Sequence, residues 1–399
     1  MKPIIGLALA GLLVLGAFPA PTLATDNHVK VMTRNQYLGA DLTPVIQAQT
    51  PAEFFSAVTA VLEQIRRNNF PWRVQRLATE IALTQPDVIG LQEVFDFKLN
   101  GRNHKPPFVD HLAETLAALA ARGQHYRVAA SVTNLQATIP VDVDGDGEPE
   151  QVSLEDRDVI LVRKGIKFAK LAGNTTEGGL CGVPIPNPVP VPTFPETLQS
   201  RPSADGCHYT IVAKVDSPVG EIVVERGFVG IDATVRGKNH RFVNTHLELK
   251  PDPADPNADP NSGVFQFLQS VELVGTLQAL TPDDRTLILL GDFNSSPEDP
   301  PIGSIVPPYQ ILTGAGFVDI WDNNRLAVLD PDGFTCCQEA DLSNRVSDLN
   351  ERIDLIFVSD PGVRADAVVT GRVPIFPLFL PPNWASDHGG VFSKLLFSW

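Results

Sequence analysis

The sequence predicts a strand-rich α/β fold. Short apolar runs bounded by turn residues recur along the 399-residue chain, amphipathic helical patterns lie between them, and 43% hydrophobic content can fill a sizeable core.

The elements follow in order. Residues 1–24 read as a secretory signal peptide: Lys2 precedes an apolar run from Ile4 to Leu15, and the small residues Thr22 and Ala24 mark cleavage after Ala24. Gly6 and Gly11 interrupt that run and Pro19 and Pro21 follow it, against a membrane anchor, and no cysteine precedes Cys181, which excludes a lipoprotein anchor. The expected location is secreted or periplasmic, with residues 25–399 as the mature domain. Strands are expected at HVKVMTR (28–34), DVIGLQE (87–93), DVILVRK (158–164), HRFVNTH (240–246), TLILLGD (286–292) and IDLIFVS (353–359), several buried on both faces. Helical periodicity covers 51–67, 72–85, 109–123 and 265–280. Proline-rich stretches near 173–208 and 251–262 read as insertions, because proline removes backbone donors and favours extended surface chain.

Net charge is −16, and removing Lys2 with the leader makes it −17, which disfavours a large basic surface for gripping nucleic acid. Four cysteines in an exported chain allow three disulfide connectivities. Cys181 with Cys207 is the favoured pair. Cys336 and Cys337 are adjacent, and either close a vicinal ring or pin two loops.

Polar residues cluster at strand ends, where chain leaving a buried sheet presents side chains to a shared cleft. These are Asn35, Glu93, His246, Asp292, Asn294, Asp354, and Asp387 with His388. Singly, each has a plain structural reading: a Gly-Asp-x-Asn run is usually a turn bonding its own backbone, and a lone strand-end histidine is usually structural. Together they hold the groups that phosphodiester hydrolysis needs. Carboxylates hold a hard cation, an amide orients water or phosphate, and an imidazole steadied by a buried carboxylate moves a proton.

The ordered set, Asn35, Glu93 in LQEV, His246 in NTHL, Asp292 and Asn294 in GDFN, Asp354 in RIDLIF and Asp387-His388 in SDHGG, resembles the endonuclease/exonuclease/phosphatase superfamily from about residue 29 onward. That resemblance implies a four-layer α/β sandwich, two packed mixed β-sheets flanked by helices, and a metal-dependent phosphodiesterase. It implies Mg2+, with Mn2+ or Ca2+ as substitutes, held by Glu93 with Asn35 and Asp387. Asp292 would orient or deprotonate water, Asn294 would hold water or a phosphate oxygen, and His246 would contact phosphate. His388, paired with Asp354, would act as general base or transition-state donor. One part departs from the family pattern. Where many members place tyrosine or asparagine before the central strand, this chain has Glu155-Asp156-Arg157-Asp158, so Arg157 is a candidate phosphate contact or a plain surface arginine.

Asp142, Asp144, Asp146 and Gly147 match the opening of a calcium loop, but Ser153 stands where glutamate is needed, so a plain acidic turn is expected first. The run 372–384 carries Phe376, Phe379 and Trp384 just before Ser386. It offers a peripheral membrane contact through 374–384, or a buried loop. The substrate is therefore open between nucleic acid and phospholipid. A secreted binding module on the same fold is the alternative, against which the presence of Glu93, Asp292 and His388 counts.

Overall fold

The structure, a computed structural model, describes residues 27–100, 109–142, 146–171, 173, 179–189, 194–204, 206–251, 262–375 and 382–398. The signal peptide, Asp144, Phe376 and Phe379 lie outside these residues, as do 252–261 of the second insertion.

Among the described residues, fifteen strands build two large mixed sheets. The first contains β1 (His28–Asn35), β2 (Val88–Gln92), β3 (Asp96–Asn100), β4 (Tyr126–Val141) and β5 (Glu150–Arg163). The second begins with β6 (Lys167–Lys170), β7 (Arg201–Pro202), β8 (Cys207–His208), β9 (Gly227–Val235), β10 (Lys238–His246), β11 (Thr286–Asp292), β12 (Val318–Asp319) and β13 (Asp354–Val358). The chain then returns to the first sheet with β14 (Arg364–Thr370) and β15 (Gly390–Leu396). The orders are β14-β15-β1-β2-β5-β3, with β4 also on β5, and β12-β13-β11-β10-β9-β8-β7, with β6 on β9. Pairs β1/β2 and β10/β11 are parallel, whereas β1/β15 and β11/β13 are antiparallel.

Strand alternation explains the layers. Val31, Val88 and Ile160 point inward to meet Phe242, Ile288 and Ile356 of the second sheet. Met32, Ile89 and Leu161 point outward to helices α1 (Pro51–Asn68), α2 (Phe70–Thr84) and α3 (His111–Ala121). On the other side Val243, Leu289 and Phe357 pack on α4 (Ser262–Leu280) through Leu273 and Leu277. The result is helix, sheet, sheet, helix. Each β2 residue is buried, as its continuous apolar run predicts for a strand covered on both faces.

Local chemistry sets the ends. Thr50 and Glu53 form a reciprocal capping box before Pro51, and Asn69 in the left-handed region (φ 43°) ends α1 and caps α2. The sheets approach closely at Gly90, where a Cβ would lie 2.5 Å from Asn244 Oδ1. There Asn244 donates to the Leu91 and Val159 carbonyls at 2.9 and 3.2 Å and accepts from Gln92 at 2.6 Å, tying the layers together.

Cys181 and Cys207 form the expected disulfide, Cα atoms 5.5 Å apart. It joins the first insertion to β8. The Cys336 and Cys337 sulfurs are bonded to each other. In the acidic turn, Asp142 accepts from Gly147 N at 3.0 Å and Asp146 from Glu148 N at 2.8 Å, so these carboxylates brace their own hairpin.

Candidate active site

Register assembles the site. Asn35 ends β1 directly opposite Gln92 of β2, which makes Glu93 the next residue out. In the second sheet His246 pairs with Asp292, and Asp292 with Asp354, so three residues far apart in sequence form one row across β10, β11 and β13. Asp387 and His388 immediately precede β15, the neighbour of β1. Glu93 (φ 53°) and Asn294 (φ 48°) both leave their strands through the left-handed region, a conformation that is costly for glutamate, is readily adopted by asparagine, and turns their side chains at the sheet edge.

The buried Asn35 amide links the two sheets, donating to Glu93 Oε1 and Asp292 Oδ2, both at 3.0 Å. Glu93 Oε2 accepts from Leu38 N at 2.8 Å. Asp292 Oδ1 accepts from Asn294 N at 3.0 Å, while its Oδ2 stands 3.6 Å from His246 Nε2 and 3.7 Å from His388 Nδ1. His388 Nδ1 is 2.8 Å from Asp354 Oδ2, and its Nε2 is 3.9 Å from Asp387 Oδ1. Asn294 donates to the Leu247 carbonyl at 3.0 Å. The seven strand-end positions and His388 thus converge.

Electrostatics follow from burial and crowding. Burial and the Asp354 charge push the Asp292 carboxyl up to about 7 against the pull of His388. Burial raises Asp387 to about 6 even against His388, and Glu93 adds to the rise. Burial lowers the His388 pKa, but Asp354, Asp387 and Asp292 outweigh it and hold the imidazole well above its ordinary value. His246 goes the other way: burial, Arg226 and His388 keep it well below the usual histidine range. The two imidazoles therefore differ, one a charged donor and one neutral.

Arg157 does not join the cluster. Its guanidinium donates to the Val94 carbonyl at 3.1 Å and pairs with Asp110 at 2.8 Å, so it fastens the segment after Glu93. One buried cation beside the site is Arg226, 3.7 Å from Glu248 and within the fields of Asp156, Asp158 and Glu93. A second overlooked residue is Arg73, fully buried in α2. It donates to the carbonyls of Gln36 (3.0 Å), Tyr37 (3.0 Å), Asn68 (3.0 Å) and Ala385 (2.8 Å), and so ties the loop after Asn35 to the one before Asp387. Its signal was readable: Arg73 and Glu80 occupy positions of the α2 apolar stripe with Phe70, Val74, Leu77 and Ile81. Trp384 follows the buried-loop alternative, being 1% exposed, packed on Tyr37 and Leu342, and donating its indole N–H to the Asn344 carbonyl at 2.8 Å.

A two-sheet α/β sandwich that gathers carboxylates, an amide and paired imidazoles at one edge defines a class of phosphoester-cleaving proteins. The Endonuclease/Exonuclease/phosphatase family pattern matches residues 66–388, and the chain belongs to that family. Its members are generally hydrolases of phosphoester bonds and typically use divalent metal ions. No curated protein sequence matches this one. Among solved structures, an endonuclease/exonuclease/phosphatase from Beutenbergia cavernae DSM 12333 is 19% identical, covering 93% of this chain and 72% of that one, with a TM-score of 0.49. A family protein from Leptotrichia buccalis C-1013-b is 17% identical over 92% of this chain and 100% of that one, with a TM-score of 0.47. D. rerio TDP2 complexed with a single-strand DNA product is 14% identical over 93% and 99%, with a TM-score of 0.45.

The donor set suits a hard divalent cation. Glu93, Asp292 and Asp387 offer only carboxylate oxygens as ligand atoms, while Asn35 turns its NH2 toward Glu93 and Asp292 and its Oδ1 accepts from Tyr37 N at 2.8 Å, which suits it to orient those carboxylates.

Proposed function

We propose that this protein is an exported phosphodiesterase that requires a divalent cation, Mg2+ first and Mn2+ or Ca2+ as substitutes. The observation that carries the reading is the 2.8 Å Asp354–His388 pair beside Asp292, in a cluster with Asn35, Glu93 and Asp387. Glu93 and Asp387 would hold the cation, with Asn35 close to it or to its waters and orienting Glu93 through its NH2, and the cation when bound would neutralise charge on the phosphoryl oxygens. Asp292, oriented by Asn35 and the Asn294 backbone, positions the attacking water and takes its proton. Asn294 positions that water or a phosphate oxygen. His388 enters protonated, steadied by Asp354, and donates through Nε2 to phosphoryl oxygen as charge builds. Neutral His246 and cationic Arg226 approach the phosphate from the other side. Export rests on the Lys2-led apolar segment ending at Ala24.

For the substrate, the supporting observation is a cleft of about 680 Å3 that begins at Asn294 and is walled by Leu249, Ile302, Ile305 and Val306. Its lysine, Lys250, is clamped by Asp299 at 2.9 Å and Glu351 at 2.8 Å, so among the described lining residues no unpaired cation attracts a polyanion. A phosphodiester with an apolar arm, as in a phospholipid, fits this wall better than a nucleic acid strand.

The test incubates purified protein and divalent metal with plasmid DNA, RNA, sphingomyelin, phosphatidylinositol and bis-nitrophenyl phosphate. Turnover is expected for the nitrophenyl and lipid diesters, with Asp292→Ala and His388→Ala each slower by at least ~100-fold. No turnover of any diester with Mg2+, Mn2+ or Ca2+ refutes the enzyme reading, and preference for plasmid refutes the lipid assignment.

A further inference from the structure

The adjacent cysteines stand at the catalytic histidine. Cys336 Sγ lies 3.9 Å from His388 Nε2, and both cysteine sulfurs and an imidazole nitrogen of His388 fall within 4.8 Å of one another. A tetrahedral zinc ion with ordinary Zn–S and Zn–N bonds separates such a sulfur and nitrogen by about 3.6 Å. The remaining features of a built metal site are present. His388 Nδ1 is held by Asp354 at 2.8 Å, the arrangement that orients a metal-binding imidazole through its other nitrogen. Cys336 is buried while Cys337 is exposed, which gives an entry path from solvent. The segment is also fixed: Thr335 accepts from Gly389 N at 2.6 Å and Gln338 N donates to the Asp387 carbonyl at 2.8 Å, so the cysteines are strapped to the His388 loop.

We propose that Cys336, Cys337 and His388, with the cysteine pair reduced, form a site for a borderline-soft divalent cation such as Zn2+ or Cd2+, separate from the oxygen-donor set of Glu93 and Asp387. Thiolate and imidazole donors select such ions over Mg2+. Binding displaces both thiol protons and the Nε2 proton of His388, which removes the donor that the proposed hydrolysis needs. Exchange of the two thiols with a small-molecule disulfide, which takes up the two electrons and two protons and leaves as two thiols, joins the sulfurs and abolishes the site. The oxidised enzyme is thereby indifferent to thiophilic metals, and the reduced enzyme is inhibited by them. That inhibitory consequence rests on the proposed hydrolase reading, whereas metal binding does not.

The experiment titrates Cd2+ into the protein in excess Mg2+, with and without a water-soluble phosphine. The phosphine reduces the disulfide to two thiols by taking oxygen from water, and becomes the phosphine oxide. Readouts are thiolate-to-cadmium charge-transfer absorption, bound cadmium per chain, and hydrolysis of bis-nitrophenyl phosphate. One cadmium per chain with the charge-transfer band is expected only after reduction. It should vanish in the Cys336→Ser/Cys337→Ser variant, which keeps the Cys181–Cys207 disulfide, and weaken at least ~10-fold in His388→Gln. Absence of the band in phosphine-treated protein with titratable thiols, its persistence in the double serine variant, or unchanged affinity in His388→Gln overturns the site. If no metal supports hydrolysis, the hydrolase reading fails, while the spectroscopic arm still decides the metal site.

Discussion

Asp292 and Asp354 face each other across the antiparallel β11/β13 pair, and the hydrogen-bonded imidazole of His388 belongs to Asp354. Two carboxyls so placed are expensive to ionise together, and the Asp354–His388 pair answers for one of them. Asp292 is left with His246 and His388 at 3.6 and 3.7 Å, beyond hydrogen-bond reach, and with the Asn35 amide and the Asn294 backbone N–H, each at 3.0 Å. The geometry divides their labour: Asp354 fixes an imidazole, and Asp292 is available to water and metal.

Metal affinity should rise with pH. With folded values near 7 for Asp292 and 6 for Asp387, both must lose a proton to serve a cation, so Mg2+ should bind at least ~10-fold more tightly at pH 8 than at pH 6. Without metal the sign reverses. A raised carboxyl favours the fold below its ordinary value of 3.8 and loses that contribution as pH climbs through about 7. Calorimetric Mg2+ titrations and melting curves at the two pH values check both halves, and a pH-independent affinity contradicts the charge assignment.

Asp354→Asn should keep the fold and lose at least ~100-fold in kcat, because the amide neither supports the imidazolium nor fixes its tautomer. The His388 pKa, followed by NMR, should fall in the same variant. A kcat near the wild-type value, or an unmoved His388, removes the pair from the mechanism.

Arg73→Ala should cost about 3 kcal/mol or more, since four buried carbonyls lose their shared donor. Denaturant midpoints measure the loss. Arg73→Lys should recover only part of it, because one ammonium cannot reach four carbonyls in the guanidinium geometry.

Gly90→Ala tests the contact between sheets. The added methyl would meet Asn244 at 2.5 Å, and about 1–3 kcal/mol of destabilisation is expected. Stability equal to wild type would mean that the layers separate there more easily than the Asn244 bonds imply.

Trp384→Ala should destabilise by about 3–5 kcal/mol, as loss of a buried aromatic does, and leave the affinity for lipid vesicles unchanged. Reduced vesicle binding in a fully folded variant would restore the surface role that burial argues against.

Much of the fold was legible in the chain. Helices were placed within a few residues, and the strand seen at 158–164 proved to be the end of a longer one, Glu150–Arg163, whose outer half pairs with β3 and β4 and carries no continuous apolar run. The strand-end polar residues were also readable, because a buried run stopping at Asp, Asn or His exposes that side chain at a sheet edge. Arg226 and Arg73 were less so: their importance depends on what surrounds them. Arg157 looked like a phosphate contact from its neighbours in sequence, yet Asp110, distant in sequence, claims it. For the run 372–384 the sequence left a membrane contact and a buried loop open, and at Trp384 it is Tyr37 and Leu342, distant in sequence, that provide the cover.

By itself the sequence determined the α/β class, the two-sided burial of the central strands and the identity of the polar residues at their ends, because these follow from local periodicity and turn chemistry. Tertiary structure decided which of those residues meet. Register set His246, Asp292 and Asp354 in one row, the β1/β15 pairing delivered His388 to Asp354, and the Thr335–Gln338 strap brought Cys336 to the same imidazole. Such contacts link positions hundreds of residues apart, and strand pairing fixes them by hydrogen bonds and side-chain packing that no local pattern encodes.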